Sequence, residues 1–173
     1  MAYVTTEMTK QARVIVNKIG KKYGFKLSVK KSNGTLTITL REGGNLEKYL
    51  EIDNYTKTII EKYGMTPCPF AKYQEWIKEL ISNLDYSNSL KRYNEYLRVC
   101  RVLVEGSTQN FHYKLKGDLD KMFVEMELEV KRVLGYYDNS DASVDYFDTS
   151  FYYRVDLGGG SHKPYKVKQK EVV

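Results

Sequence analysis

Cysteine and histidine are scarce in this chain and long apolar runs are missing, and each shortage removes a class of protein. Only Cys68 and Cys100 occur among 173 residues, far apart. A disulfide framework of the secreted kind is thereby excluded, and both thiols are expected to be reduced and at least partly buried. No apolar stretch approaches the ~20 residues that a membrane helix needs. No basic head, apolar run and small-residue cleavage site coincide near the start. These shortages predict a soluble, intracellular protein with no membrane partner.

Signatures of chemistry are also missing. There is no nucleophile elbow and no phosphate-binding glycine loop; the triple glycine at Gly158, Gly159 and Gly160 lies between expected strands and precedes no helix. The acids around Asp138 to Asp148 lack the glycine and closing Glu of an EF-hand. Cys68, Cys100, His112 and His162 number four, as a closed tetrahedral zinc site requires, but structural zinc ligands come in close pairs and these do not. No metal, no other cofactor and no enzymatic activity are therefore expected, although a nuclease built from scattered carboxylates and a lysine would leave no such signature.

What is present is enough apolar material for a core, 42% of residues, and an uneven charge. Between Asp118 and Asp148 nine acids face only Lys121, Lys131 and Arg132, a local net of −6, so the remainder of this +6 chain carries +12. Opposed regions of this kind suit contact with a polyanion on one face and a basic partner on another, or simply solvated helix and turn positions.

The pattern of elements predicts an α+β fold. Met8, Ala12, Ile15, Ile19 and Tyr23 recur at helical spacing after the capping residues Thr5 and Thr6, and Gly24 stops that helix. Phe25, Leu27 and Val29, then Leu36, Ile38 and Leu40, alternate on either side of Asn33-Gly34, the signature of a hairpin. Helices follow from about Tyr55, from Phe70 and from Leu90, with Pro67 and Pro69 in the connection before the second. Asp118 opens a further helix that Gly135 ends. Val144 and Tyr146, then Phe151, Tyr153, Val155 and Leu157, alternate as strands, with Tyr165 and Val167 after the glycines. The expected layout is an αββ unit over 1–53, a helical region over 54–135 and a β region over 136–173 whose antiparallel strands complete a small sheet, all in one compact domain. A basic tail, Lys163 to Lys170, is expected to fray or to hold a partner.

Two sets of residues stand out. In the segment 135–157, Asp138, Asp141, Asp145 and Asp148 are interleaved with Tyr136, Tyr137 and Tyr152 among other rings. Carboxylates on an aromatic base suit a surface read by a macromolecule, since rigid rings supply contact area at small entropic cost. Around the first αββ unit, Lys18, Lys21, Lys22, Lys26, Lys30, Lys31 and Arg41 form a basic set suited to phosphates.

The opening helix with FKLSVKKSNGTLTITLRE, and the closing YYDNSDASVDYFDTSFYYRVDL, resemble pieces of uncharacterised proteins of phages and conjugative elements, including accessory domains of large polyvalent proteins. The resemblance covers 25–42 and 136–157 beside the first helix and carries no catalytic signature. It implies a counter-defence protein of the anti-CRISPR type, acting in the cytoplasm of the host bacterial cell. On that expectation the acidic and aromatic set occupies the nucleic-acid channel of a CRISPR effector nuclease or similar defence complex, as phosphates would. The alternative is a direct DNA- or RNA-binding accessory protein that uses the basic set. Homodimerisation through the tyrosines is compatible with either.

Overall fold

The computed structural model describes residues 1–80, 85–111, 114–144, 148–159 and 163–168. Among these residues, five α-helices and a mixed sheet of four strands give the α+β class. The chain divides into two compact units, one of Met1–Leu50 with Ser107–Val173, the other of Glu51–Gly106. The helix that begins near Asp118, grouped in sequence with the central helices, lies in the first unit with the sheet.

In the first unit, α1 (Thr6–Tyr23) starts at a capping box in which the Thr5 hydroxyl accepts the Met8 N–H at 2.9 Å and Met8 Sδ faces the Thr5 N–H. It ends at Gly24, left-handed with φ 79°. Its buried face is Thr9, Ala12, Val16, Ile19 and Gly20, one position round from the stripe of large residues that the spacing predicts. At Gly20 the approach of the sheet is close, since a Cβ there would lie 2.4 Å from Leu27 Cδ1.

Strands β1 (Lys26–Ser32) and β2 (Thr35–Gly43) form the expected antiparallel hairpin with Ser32 opposite Thr35. Two residues make the turn, Asn33 at φ 45° and Gly34 at φ 76°, a pair of positive φ angles whose twist matches that of the strands. Leu27, Val29, Leu36, Ile38 and Leu40 are buried on the helix side. Helix α5 (Gly117–Val133) packs beside α1 and buries Leu119, Met122, Phe123, Met126 and Val130. It begins one residue before Asp118, with Lys116 as its N-cap, and Gly135 follows its end at φ 65°.

The closing strands differ from expectation in direction. Strand β3 (Tyr152–Leu157) lies parallel to β2, with Thr35 beside Tyr152 and Leu40 beside Leu157, and the short β4 (Lys166–Val167) continues parallel beside Glu42 and Gly43. Only a local hairpin dictates antiparallel pairing. Here the long excursion from residue 44 to 151 returns the chain to the hairpin-turn end, where the Tyr152 N–H donates to the Gly34 carbonyl at 2.9 Å. On the far edge of β3, Thr108 pairs with Leu157 and the Phe111 N–H donates to the Val155 carbonyl at 2.7 Å. Val144 belongs to a 3-10 turn (Ala142–Val144) and not to a strand, while Tyr146 lies outside the described residues.

The second unit is helical. α2 (Asn54–Tyr63) is capped by Asp53, which accepts the Thr56 N–H at 2.9 Å and its hydroxyl at 3.0 Å. α3 (Phe70–Leu80) follows the prolines, and α4 (Tyr86–Cys100), capped by Asp85, runs on into a π-turn at Arg101–Glu105. Their core is Ile59, Tyr73, Trp76, Ile77, Tyr96 and Cys100, with Tyr63 stacked on Trp76 at 4.2 Å between centroids. Tyr93 and Tyr96 donate to the carbonyls of Cys68 and Thr66 at 2.6 and 2.7 Å, pinning the proline-containing connection to α4.

Candidate functional site

The acidic set is split by its surroundings. Residues 137–139 lie against 148–150: Asp138 pairs with Thr149, the Asn139 N–H donates to the Asp148 carbonyl at 2.8 Å, and the Ser150 N–H donates to the Tyr137 carbonyl at 3.0 Å. Asp138 and Asp141 stand on the exposed tip, each closing a tight turn by accepting the N–H two residues on, Ser140 at 3.1 Å and Ser143 at 2.9 Å. Those serines hold both carboxyls below the usual carboxylate range, so both are ionised at neutral pH. Asp148 is half-buried, with its N–H on the Ser140 hydroxyl at 2.9 Å, and Asp145 lies outside the described residues. Tyr136 turns inward, edge-on to Phe151 at 5.2 Å with Lys131 Nζ 4.4 Å from its ring, whereas Tyr137 is exposed. Tyr152 is not part of this loop and stands on the sheet.

Much of the remaining acidity meets cations of the protein itself. Glu125 takes the Lys22 ammonium, Glu127 takes Lys131, and Glu129 takes Arg132 at 2.7 Å and feels Lys18. The basic set is thereby divided. Lys18 and Lys22 face α5, Lys21 is exposed in the last turn of α1, and Lys31 donates to the Thr6 hydroxyl at 3.0 Å on the helix side of the hairpin.

Lys26, Lys30 and Arg41 share the opposite side of the sheet. Side chains alternate across a strand and residues in register share a face. The pairing therefore sets Lys30, Thr37 and Arg154 side by side in one row and Ser32, Thr35 and Tyr152 in the next. In a third row Ser28 lies beside Thr39 and Asp156; Ser28 accepts Arg41 Nε at 2.9 Å, which fixes Arg41 to this face. Arg41 also lies against Gly159, where a Cβ would be 1.9 Å from Nη1. Lys26, Lys30, Ser32 and Tyr152 are exposed, Tyr152 by 52%, while Thr39 is buried. Arg154 donates from Nη2 to Asp156 at 2.9 Å, and its Nε has no hydrogen-bond partner among the described residues. Spacing between strands puts Lys30 and Arg154 roughly 10 Å apart across the threonine between them.

Tyr152 from the acidic and aromatic set and Lys26, Lys30 and Arg41 from the basic set thus meet on one face. Thr35, Thr37 and Arg154 complete it and were not singled out from sequence. Arg154 was within reach, since Tyr152, Arg154 and Asp156 occupy the polar positions of a strand whose apolar ones were recognised. Its alignment with Lys30 was not, because it depends on parallel pairing.

Of the zinc set, burial raises the thiol pKa of Cys68 and of Cys100, which favours the protonated form over the thiolate a metal needs. His112 and His162 lie outside the described residues. Among the described residues, no three His, Cys, Asp or Glu side chains cluster as metal ligands, and no helix is long and apolar enough to cross a membrane. The open sheet face offers ammonium and guanidinium groups, hydroxyls and one exposed ring, which suits binding of a phosphate chain. No family model, curated protein or solved structure matches this chain.

Proposed function

We propose that this protein binds nucleic acid through the open face of its sheet, as an accessory protein of a phage or conjugative element. The observation that carries the reading is the juxtaposition of the row Lys30, Thr37, Arg154 with the row Ser32, Thr35, Tyr152. Cations on two different strands supply charge that does not depend on base sequence. Threonine and serine hydroxyls between them donate to phosphate or sugar oxygens. Tyr152 adds a ring on which a base can stack. No step of chemistry is assigned to the face, and the protein acts by binding.

The test is a mobility shift with the purified protein at low salt. Binding should fade steeply as salt rises and should weaken in Lys30→Glu. Undiminished mobility of free DNA and RNA at low salt would reject this reading.

A second reading, inhibition of a CRISPR effector nuclease by protein contact, draws on the exposed, ionised Asp138 and Asp141 on their stitched loop. It is the weaker of the two, because among the described residues only Asp138 and Asp141 of its carboxylates stand exposed, Asp148 being half-buried. Co-purification with a guide-loaded effector, abolished when Asp138 and Asp141 are changed to Lys, would favour it.

A further inference from the structure

The N-terminal arm lies against the turn of the hairpin, and between them is an open, shallow depression of about 490 Å³. Val4 is buried, the Tyr3 N–H donates to the Ser150 carbonyl at 2.8 Å, and a Cβ on Gly34 would lie 2.6 Å from the Ala2 carbonyl oxygen. The arm is therefore held at both of its neighbours. Tyr3, Lys31, Ser32 and Asn33 line the depression, and the Tyr3 side chain is largely exposed. It opens at the end of the sheet where Tyr152 stands, since Gly34 contacts both Ala2 and the Tyr152 N–H.

Resting on the proposed nucleic-acid binding, we infer that this depression receives one unpaired nucleotide of a single strand whose backbone follows the basic rows of the sheet. The volume lies within the range of small-ligand pockets. An aromatic ring and a donor and acceptor amide on the lining offer what a base face and edge need, and Ser32, which also lines the depression, belongs to the row of Thr35 and Tyr152 that the backbone would follow. A base in a duplex is already stacked and paired, and its entry would cost the opening of the helix. The site thus selects single strands over duplexes, a preference that charge on an open face does not create.

The experiment is fluorescence anisotropy with labelled oligothymidylate of about ten nucleotides, a length within the range of single-strand site sizes, against a duplex of equal length. Tyr3→Ala removes an exposed ring, and Asn33→Gly removes the amide while glycine keeps the positive φ of the turn. Expected are tighter binding of the single strand and a loss of about tenfold in its affinity in each variant, with duplex binding unchanged. Equal affinity for the two probes, or a single-strand preference that both variants retain, would overturn the depression as the site and leave binding by the sheet face standing. Failure of both probes to bind would overturn the depression and the sheet face together.

Discussion

Lys22 and Glu125 join the first helix to the last, with Nζ 2.8 Å from Oε2 and the Tyr23 hydroxyl donating to the same oxygen at 2.7 Å. The most basic helix and the most acidic one therefore neutralise part of each other's charge. What remains for a partner is set by the pairing, not by the count of charges.

Hydrogen bonds from Lys22 and then Tyr23 hold the Glu125 carboxyl below the usual range. A carboxyl lowered in the folded state stabilises the protein above its unfolded value and loses that contribution as pH falls through the folded one. Glu125→Gln should lower the thermal midpoint at neutral pH. The gap to wild type should close as pH drops below about 4. A gap independent of pH in parallel thermal scans would remove the ion pair as its cause.

Gly34 combines φ 76° with the Ala2 carbonyl overhead. Gly34→Ala should cost about 1–3 kcal/mol in denaturant unfolding, because a side chain there is strained by the backbone and also pushes the arm away. Faster hydrogen exchange at the Tyr3 amide should accompany the loss. A variant as stable as wild type, with that amide still protected, would contradict the close approach.

Asp53 caps α2 and pairs with Arg92 at 3.8 Å. Burial disfavours its charge, but the Thr56 N–H and hydroxyl and the Arg92 guanidinium outweigh this and lower its pKa. Asp53→Ala should cost about 1 kcal/mol. Hydrogen exchange should show the loss first in residues 54–63, and acid should shrink it as the wild-type carboxyl protonates. Unchanged protection of α2 would count against the cap.

The elements that announced themselves in the sequence are those held by neighbours along the chain. Asn33-Gly34 between alternating runs marks a hairpin, though Ser32 leaves its loop length open until the pairing is seen, and Met122, Met126 and Val130 at helical spacing define the buried stripe of α5. Ion pairs within one helix, Glu127 with Lys131 and Glu129 with Arg132, follow the same logic. The direction of β3 is decided by where a long excursion ends, and no residue within Tyr152–Leu157 encodes it. For the same reason the alignment of Arg154 with Lys30, and the reach of Lys22 to Glu125, were invisible until the helices and strands were placed. Of the stripe expected for α1, Ala12 and Ile19 are buried, while Thr9, Val16 and Gly20 take the places of Met8, Ile15 and Tyr23, and only at Gly20 does a missing side chain mark the close contact with the sheet.

The exposed turn at Asp138 and Asp141 offers a control. Asp138→Asn with Asp141→Asn preserves an acceptor oxygen at each turn and removes two negative charges. Nucleic-acid affinity should stay the same or rise slightly, while a partner that reads these carboxylates should bind less well. A clear loss of nucleic-acid binding in this double variant would move the interface from the sheet to the loop.

The most direct measurement is affinity for a single-stranded oligonucleotide across a range of salt, in wild type and in Lys30→Ala and Arg154→Ala. The plot of log affinity against log salt should be linear, and Lys30→Ala should weaken binding and reduce the slope by about one, as expected when one phosphate is left without its cation, while Arg154→Ala should reduce it by less because Asp156 already shares that charge. Wild-type binding that ignores salt, or slopes unchanged in both variants, would contradict the sheet face as the binding surface.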